Sequence, residues 1–166
     1  MSAPYDLVVR GAECVLPDGV ARTDIGIRDG RIAEIGDLAN VATEHAIEAK
    51  GLHVLPGVID TQVHFREPGN EHKEDLDSGT RAAILGGVTA VFEMPNTSPA
   101  TTTAEALADK LARAKDRAWC DYAFYVGATP ENAGELADLE RLPGCCGVKV
   151  FMGSSTGTLL VADDAD

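Results

Sequence analysis

The sequence predicts an α/β protein: a small N-terminal β-domain over residues 1–51, then a strand–helix alternation over residues 52–166. Three observations carry this prediction. Residues 5 to 50 hold short strand-like runs punctuated by tight turns. After Leu52, apolar runs of strand length alternate with stretches of helical spacing, the pattern of parallel strands joined by right-handed crossovers. Polar side chains then collect where those strands end, His64 with Arg66, Asn96 and Lys149. Parallel sheets place their sites there, whether closed into a barrel or doubly wound.

In the first part, Tyr5 to Arg10 and Glu13 to Leu16 read as strands, and Asp18-Gly19 turns the chain. The runs Asp24 to Arg28 and Arg31 to Ile35 flank Asp29-Gly30, a pair that supplies the positive φ angles of a type I′ hairpin. His45 to Ala49 is a further strand, and Lys50-Gly51 turns into the second part. A β-domain this thin is not expected to be stable alone.

The second part opens on a strand leading through Val58 and Ile59. From Lys73 onward, Leu76, Thr80, Ala83 and Ile84 fall at helical spacing behind a cluster of acids, and Gly86-Gly87 ends the helix. Val88 to Met94 is a strand stopped by Pro95, which leaves Asn96 in a loop at its C-terminal end. Thr102 and Glu105 form a capping box for a helix lined by Leu107, Ala108 and Leu111. Lys110, Arg113, Lys115 and Arg117 come late in it, where the helix dipole prefers cations. Trp119 to Val126 is a third strand; Thr129 and Pro130 open a third helix with Leu136 and Leu139 inward, closed by Pro143-Gly144. Cys146 to Met152 is a fourth strand before the small-residue loop Gly153 to Gly157. No G-x-G-x-x-G follows the first strand, so a dinucleotide site loses its usual support. A barrel has eight strands and about 250 residues, so this chain would be half of one.

The chemistry concentrates on Asp60, Gln62, His64 and Arg66, which alternate with Thr61, Val63 and Phe65 and on a strand would share one face. Leaving such groups buried and unpaired costs roughly 1–3 kcal/mol each. A ligand, a metal or an ion pair is therefore expected there; the alternative is an edge strand with that face in water. Lys149, between Val148 and Val150, is expected to be paired, neutral or chemically modified, because desolvation penalises a buried ammonium. Its rival reading is a lysine snorkelling from a strand end. Arg66 and Asn96 offer a forked cation and an amide to a carboxylate, against a salt bridge from Arg66 to Glu67 or Glu71 and a capped turn at Asn96. His45, His53 and His72 read as surface residues.

A net charge of −13 excludes the clustered cations that a nucleic-acid backbone or an anionic membrane needs, and suits a small-molecule substrate. Cys14, Cys120, Cys145 and Cys146 lack C-x-x-C spacing, so neither a zinc ribbon nor a secreted disulfide framework is indicated. The N-terminal residues lack a basic and apolar leader pattern, and the expected location is the cytoplasm.

On Gly57-Val58-Ile59-Asp60, Val63-His64-Phe65-Arg66-Glu67-Pro68-Gly69, Met94-Pro95-Asn96-Thr97 and Gly147-Val148-Lys149-Val150-Phe151-Met152, the chain resembles the amidohydrolase superfamily. Within it the dihydroorotase branch, akin to hydantoinases and allantoinases, is favoured by the Arg66 and Asn96 passages. The resemblance implies a metal-dependent (β/α)8 TIM barrel, with about its first half present here, beside a small β-domain split between the two chain ends. It implies reversible hydrolysis of dihydroorotate to N-carbamoyl-aspartate in pyrimidine biosynthesis, one or two zinc ions, and a homo-oligomer. By position it makes His64 a zinc ligand, Lys149 a carboxylated lysine bridging two metals, and Arg66 with Asn96 the grip on the substrate carboxylate. Gln62 stands where the family has the first histidine of an H-x-H pair, and its amide oxygen is a weaker zinc ligand than imidazole. Gly153 stands near the position of a bridging aspartate in some relatives. Two further histidines and the general base, an aspartate, are expected beyond Asp166. The alternatives are an impaired, structural partner of aspartate carbamoyltransferase, and a hydantoinase- or allantoinase-type cyclic amidase.

Overall fold

The computed structural model describes residues 4–153 and 159–161. The chain forms two compact units, Met1–Pro56 and Gly57–Asp166. The division falls after Pro56 rather than at 51/52, because the short strand His53–Val54 pairs with the first strand of the chain.

In the first unit, β1 (Tyr5–Leu16), β2 (Gly19–Arg28), β3 (Arg31–Gly36) and β4 (Thr43–Glu48) form a sheet in the order β3-β2-β1-β4, with β5 (His53–Val54) also on β1. The two strands expected from Tyr5 to Leu16 are one. The ladder shifts register between Val9 and Ala12, where Gly11 adopts a φ of 69°, so a β-bulge occupies the gap. The buried Asp24 carboxylate pins that bulge, accepting the Gly11 N–H at 2.7 Å and the Leu38 N–H at 2.9 Å. At the β2–β3 turn, Asp29 (φ 52°) and Gly30 (φ 69°) are both left-handed, as a type I′ hairpin requires. Ala12, Cys14, Ile25 and Ala49 form one buried cluster, and Tyr5, Val8 and Leu38 another.

In the second unit, β6 (Val58–Val63), β7 (Val88–Glu93), β8 (Asp121–Gly127) and β9 (Cys145–Lys149) form a parallel sheet in the order β6-β7-β8-β9. Each strand lies beside its predecessor, without the reversal that marks the switch point of a doubly wound sheet among the described residues. The crossovers carry α1 (Leu76–Leu85), α2 (Ala104–Ala114) and α3 (Leu136–Leu139). Phe65, Leu76, Val91, Leu107, Ala114, Phe124, Val126 and Leu139 form the core, each large side chain contributing about 1.5–3 kcal/mol.

Several local expectations change. The second helix is capped by Thr103, whose side chain accepts the Ala106 N–H, and not by Thr102. In α2, Ala108 is exposed and Lys110 is buried, while Lys115 and Arg117 lie past its last residue. The third helix is a single turn after a 3₁₀ segment, because Thr129 and Asn132 bond reciprocally (Thr129 N–H to Asn132 Oδ1, 2.8 Å; Asn132 N–H to Thr129 Oγ1, 3.3 Å) and hold a turn first. β9 ends at Lys149, the last residue paired with β8, so Lys149 stands at a strand end rather than mid-strand. The loop Ser154 to Gly157 lies outside the described residues. No described helix is long and apolar enough to cross a membrane.

At the start of α1, the Asp75 side chain accepts the Ser78 N–H at 2.7 Å and the Ser78 hydroxyl faces the Asp75 backbone, a reciprocal cap. The Ser78 N–H holds the Asp75 carboxyl below its usual range. A carboxyl whose pKa falls on folding stabilises above its unfolded pKa, and that stabilisation is lost as pH drops through the folded value. Asp75→Ala is expected to lower stability by about 1 kcal/mol at neutral pH and Asp75→Asn by less. The gap to Ala should narrow in acid. Urea unfolding at neutral and acidic pH checks this; equal stability of all three proteins at neutral pH would remove the cap.

Candidate functional site

The site is built where β6 stops. Its last paired residue is Val63, and the next three are His64, Phe65 and Arg66. Phe65 is the anchor: it is buried in the core and lies against Gly79 of α1, where an added Cβ would sit 2.4 Å from the ring. His64 and Arg66, half-buried, flank it. Arg66 has a φ of 65°, so strict alternation stops before it and the four polar side chains do not share one strand face. Asp60 and Gln62 are exposed, with Asp60 Oδ1 accepting the Gln62 N–H at 3.0 Å. β6 pairs only with β7 among the described residues.

The loop after β7 meets this segment. Met94 N–H donates to the Val63 carbonyl at 3.0 Å and Ser98 N–H to the Pro68 carbonyl at 2.9 Å. The Asn96 and His64 side chains are hydrogen-bonded to each other. Burial pushes the His64 pKa down, the neighbouring Arg66 charge and the more distant Lys110 and Lys149 push the same way, and the bond to Asn96 opposes them. The net direction is downward, which favours the neutral imidazole over the imidazolium.

Neither proposed structural partner takes Arg66. The buried Glu67 carboxylate receives Arg117 Nη1 and Nη2 at 2.8 and 3.2 Å and the Leu76 N–H at 2.9 Å. Glu71 accepts the Gly69 N–H at 3.0 Å and faces Arg113 at 3.9 Å. Among the described residues no carboxylate pairs with the Arg66 guanidinium. Lys149 is half-buried, with its Nζ 5.2 Å from the Phe151 ring centroid. Its carbonyl accepts the Ala128 N–H at 2.9 Å, tying the ends of β8 and β9.

Three supporting residues escape a reading of motifs. Glu93 and Lys110 form a buried ion pair, and Asn132 Nδ2 donates to both the Gly127 and Thr102 carbonyls at 2.9 Å. Helical spacing carries the signal for Lys110, which shares a face with Leu107 and Ala114. Asn132 carries a local signal for its turn with Thr129, but none for its bond to Thr102, thirty positions away.

Of the two residues expected as metal ligands, His64 and Lys149, only the imidazole could ligate as it stands, because an ammonium has no acceptor. Among the described residues no group of three His, Cys, Asp or Glu side chains could hold an ion. By themselves, the described residues do not make up a metal site.

The family model described as dihydro-orotase-like matches residues 51–157, and that of the urease α-subunit N-terminal domain matches residues 1–57. An allantoinase of Deinococcus radiodurans is 40% identical over 151 residues, covering 90% of this chain and 34% of that protein. A dihydroorotase of Macrococcus caseolyticus is 39% identical over 136 residues, covering 81% of this chain and 32% of that protein. The solved L-hydantoinase of Arthrobacter aurescens superposes with a TM-score of 0.85 at 33% identity, over 96% of this chain and 36% of that one. The chain spans about a third of the length of these curated relatives.

The close approach of Gly79 to Phe65 generates a prediction. Gly79→Ala gains about 1 kcal/mol of helix propensity, but forcing the buried ring aside costs about 1–3 kcal/mol. A net loss of stability is expected, with a shifted Phe65 ring and altered His64 and Arg66 side-chain NMR signals. Unchanged signals with raised stability would show that the packing is slack.

Proposed function

The chain belongs to the dihydro-orotase-like family, and from that premise we propose that it is part of a (β/α)8-barrel cyclic amidohydrolase that hydrolyses dihydroorotate to N-carbamoyl-aspartate. The observation that carries the substrate choice is Arg66. A half-buried guanidinium with no carboxylate partner among the described residues, beside the His64–Asn96 pair, suits the ring carboxylate of dihydroorotate. Asn96 adds a side-chain amide to that grip. Further strands closing the barrel would cover Val58 and Ile59 of β6, which are 54% and 56% exposed.

In this reading His64 and a carboxylated Lys149 are the ligands on this side of a zinc centre of one or two ions. Carboxylation turns the costly ammonium into an oxygen ligand. When bound, zinc supplies a water acidified enough to act near neutral pH. His64 contributes an imidazole oriented by Asn96, and Arg66 orients the ring.

Loss of a charged hydrogen bond costs about 1.5–3 kcal/mol, or about 10- to 100-fold. Arg66→Met is therefore expected to raise the KM for dihydroorotate by that factor, with under about threefold change for an uncarboxylated hydantoin. Steady-state kinetics of the intact protein decide this, and equal effects on both substrates would remove the carboxylate grip.

A second reading, an allantoinase-type amidase, draws on the allantoinase named among the similar relatives. Faster turnover of allantoin than of dihydroorotate in the same assay would favour it. A third, an impaired partner of aspartate carbamoyltransferase, draws on Gln62. Gln62→His is expected to raise zinc per chain and rate together, by about tenfold in rate, if Gln62 merely weakens a working site. Absent turnover in both forms, with co-elution of the carbamoyltransferase on gel filtration, would favour the partner role.

A further inference from the structure

Lys110 is the only buried basic side chain among the described residues, at 1% exposure. Its Nζ lies 2.9 Å from Glu93 Oε2, donates to the Met94 carbonyl at 3.1 Å, and sits 5.4 Å from the Phe124 ring centroid. Glu93 is equally buried, and neither of its oxygens meets a donor in good hydrogen-bond geometry. The Lys110 ammonium and the Phe65 backbone N–H are the groups that favour its charge.

Such a pair is a poor device for stability, since a buried ion pair often breaks even with apolar residues of the same size. What distinguishes it is where its contacts fall. Lys110 comes from α2, yet it holds the consecutive residues Glu93 and Met94, immediately before Pro95 and Asn96. Glu93 is paired with Val63 across the β6–β7 ladder, and Met94 N–H donates to the Val63 carbonyl. Val63 is followed directly by His64. The pair thus sits at the junction from which both site segments leave the sheet.

We propose that Lys110 and Glu93 are positioning residues: they fix the Met94–Asn96 turn against the His64–Arg66 segment, so that Asn96 and Arg66 meet the substrate carboxylate without rearrangement. This rests on the reading of Arg66 and Asn96 as the substrate grip. It assigns no contact with substrate to Lys110 itself.

The test compares, in the intact protein, Lys110→Met, the double variant Glu93→Leu/Lys110→Met, and Asn96→Ala. Lys110→Met strands a buried carboxylate and is expected to lower Tm. If it does not fold, the double variant, which removes both charges, carries the test. The double variant is expected to keep a near-native Tm, to raise the KM for dihydroorotate about tenfold, and to change kcat by under about threefold. A purely structural role instead predicts a lower Tm or a smaller active fraction with native KM, and that outcome overturns the proposal. If Asn96→Ala leaves KM unchanged, the grip reading fails and takes the proposal with it. If Asn96→Ala raises KM while the double variant does not, the grip stands and the positioning role alone is lost.

Discussion

Backbone groups that leave a parallel sheet lose the ladder that paired them, and at the C-terminal ends of these strands buried side chains take over. Glu67 accepts the Leu76 N–H, Lys110 donates to the Met94 carbonyl, and Asn132 donates to the carbonyls of Thr102 and Gly127. Each joins a strand end or loop to a different element. Because these connections are charged or amide groups in low dielectric, a poor fit is costly, and the loops are held in one arrangement.

The same arrangement sorts the charges. Glu67 is committed to Arg117 and to the first turn of α1, so it does not neutralise its neighbour Arg66. Glu93 is committed to Lys110. A chain whose net charge is −13 thereby presents, at the ends of its parallel strands, Arg66, Lys149 and His64. The proposal of a carboxylate ligand rests on that one guanidinium, left without a carboxylate partner among the described residues. Arg66 as carboxylate grip and Asn96 as its companion stand as proposals on that basis.

Local features were legible from the residues alone. Asp29-Gly30 predicts its hairpin because only certain residues tolerate two successive positive φ angles, and both are found left-handed. Gly86-Gly87 ends α1 where the helical spacing runs out. The cap falls at Thr103 instead of Thr102, and the third helix is a single turn, since adjacent threonines compete for one cap and an Asn three residues after Thr129 closes a turn instead.

What the sequence by itself determined is the alternation of strand and helix, the placing of His64 and Asn96 at strand ends, and the family, because periodicity and short motifs are local properties. The tertiary structure decided the rest. Arg66 leaves the alternation through a left-handed backbone, Lys110 turns from one of four cations late in a helix into a buried anchor, and Glu67 chooses Arg117 across fifty positions instead of its neighbour. These outcomes depend on which elements the crossovers bring side by side, and a pairing energy between distant residues has no signature in the spacing of either one.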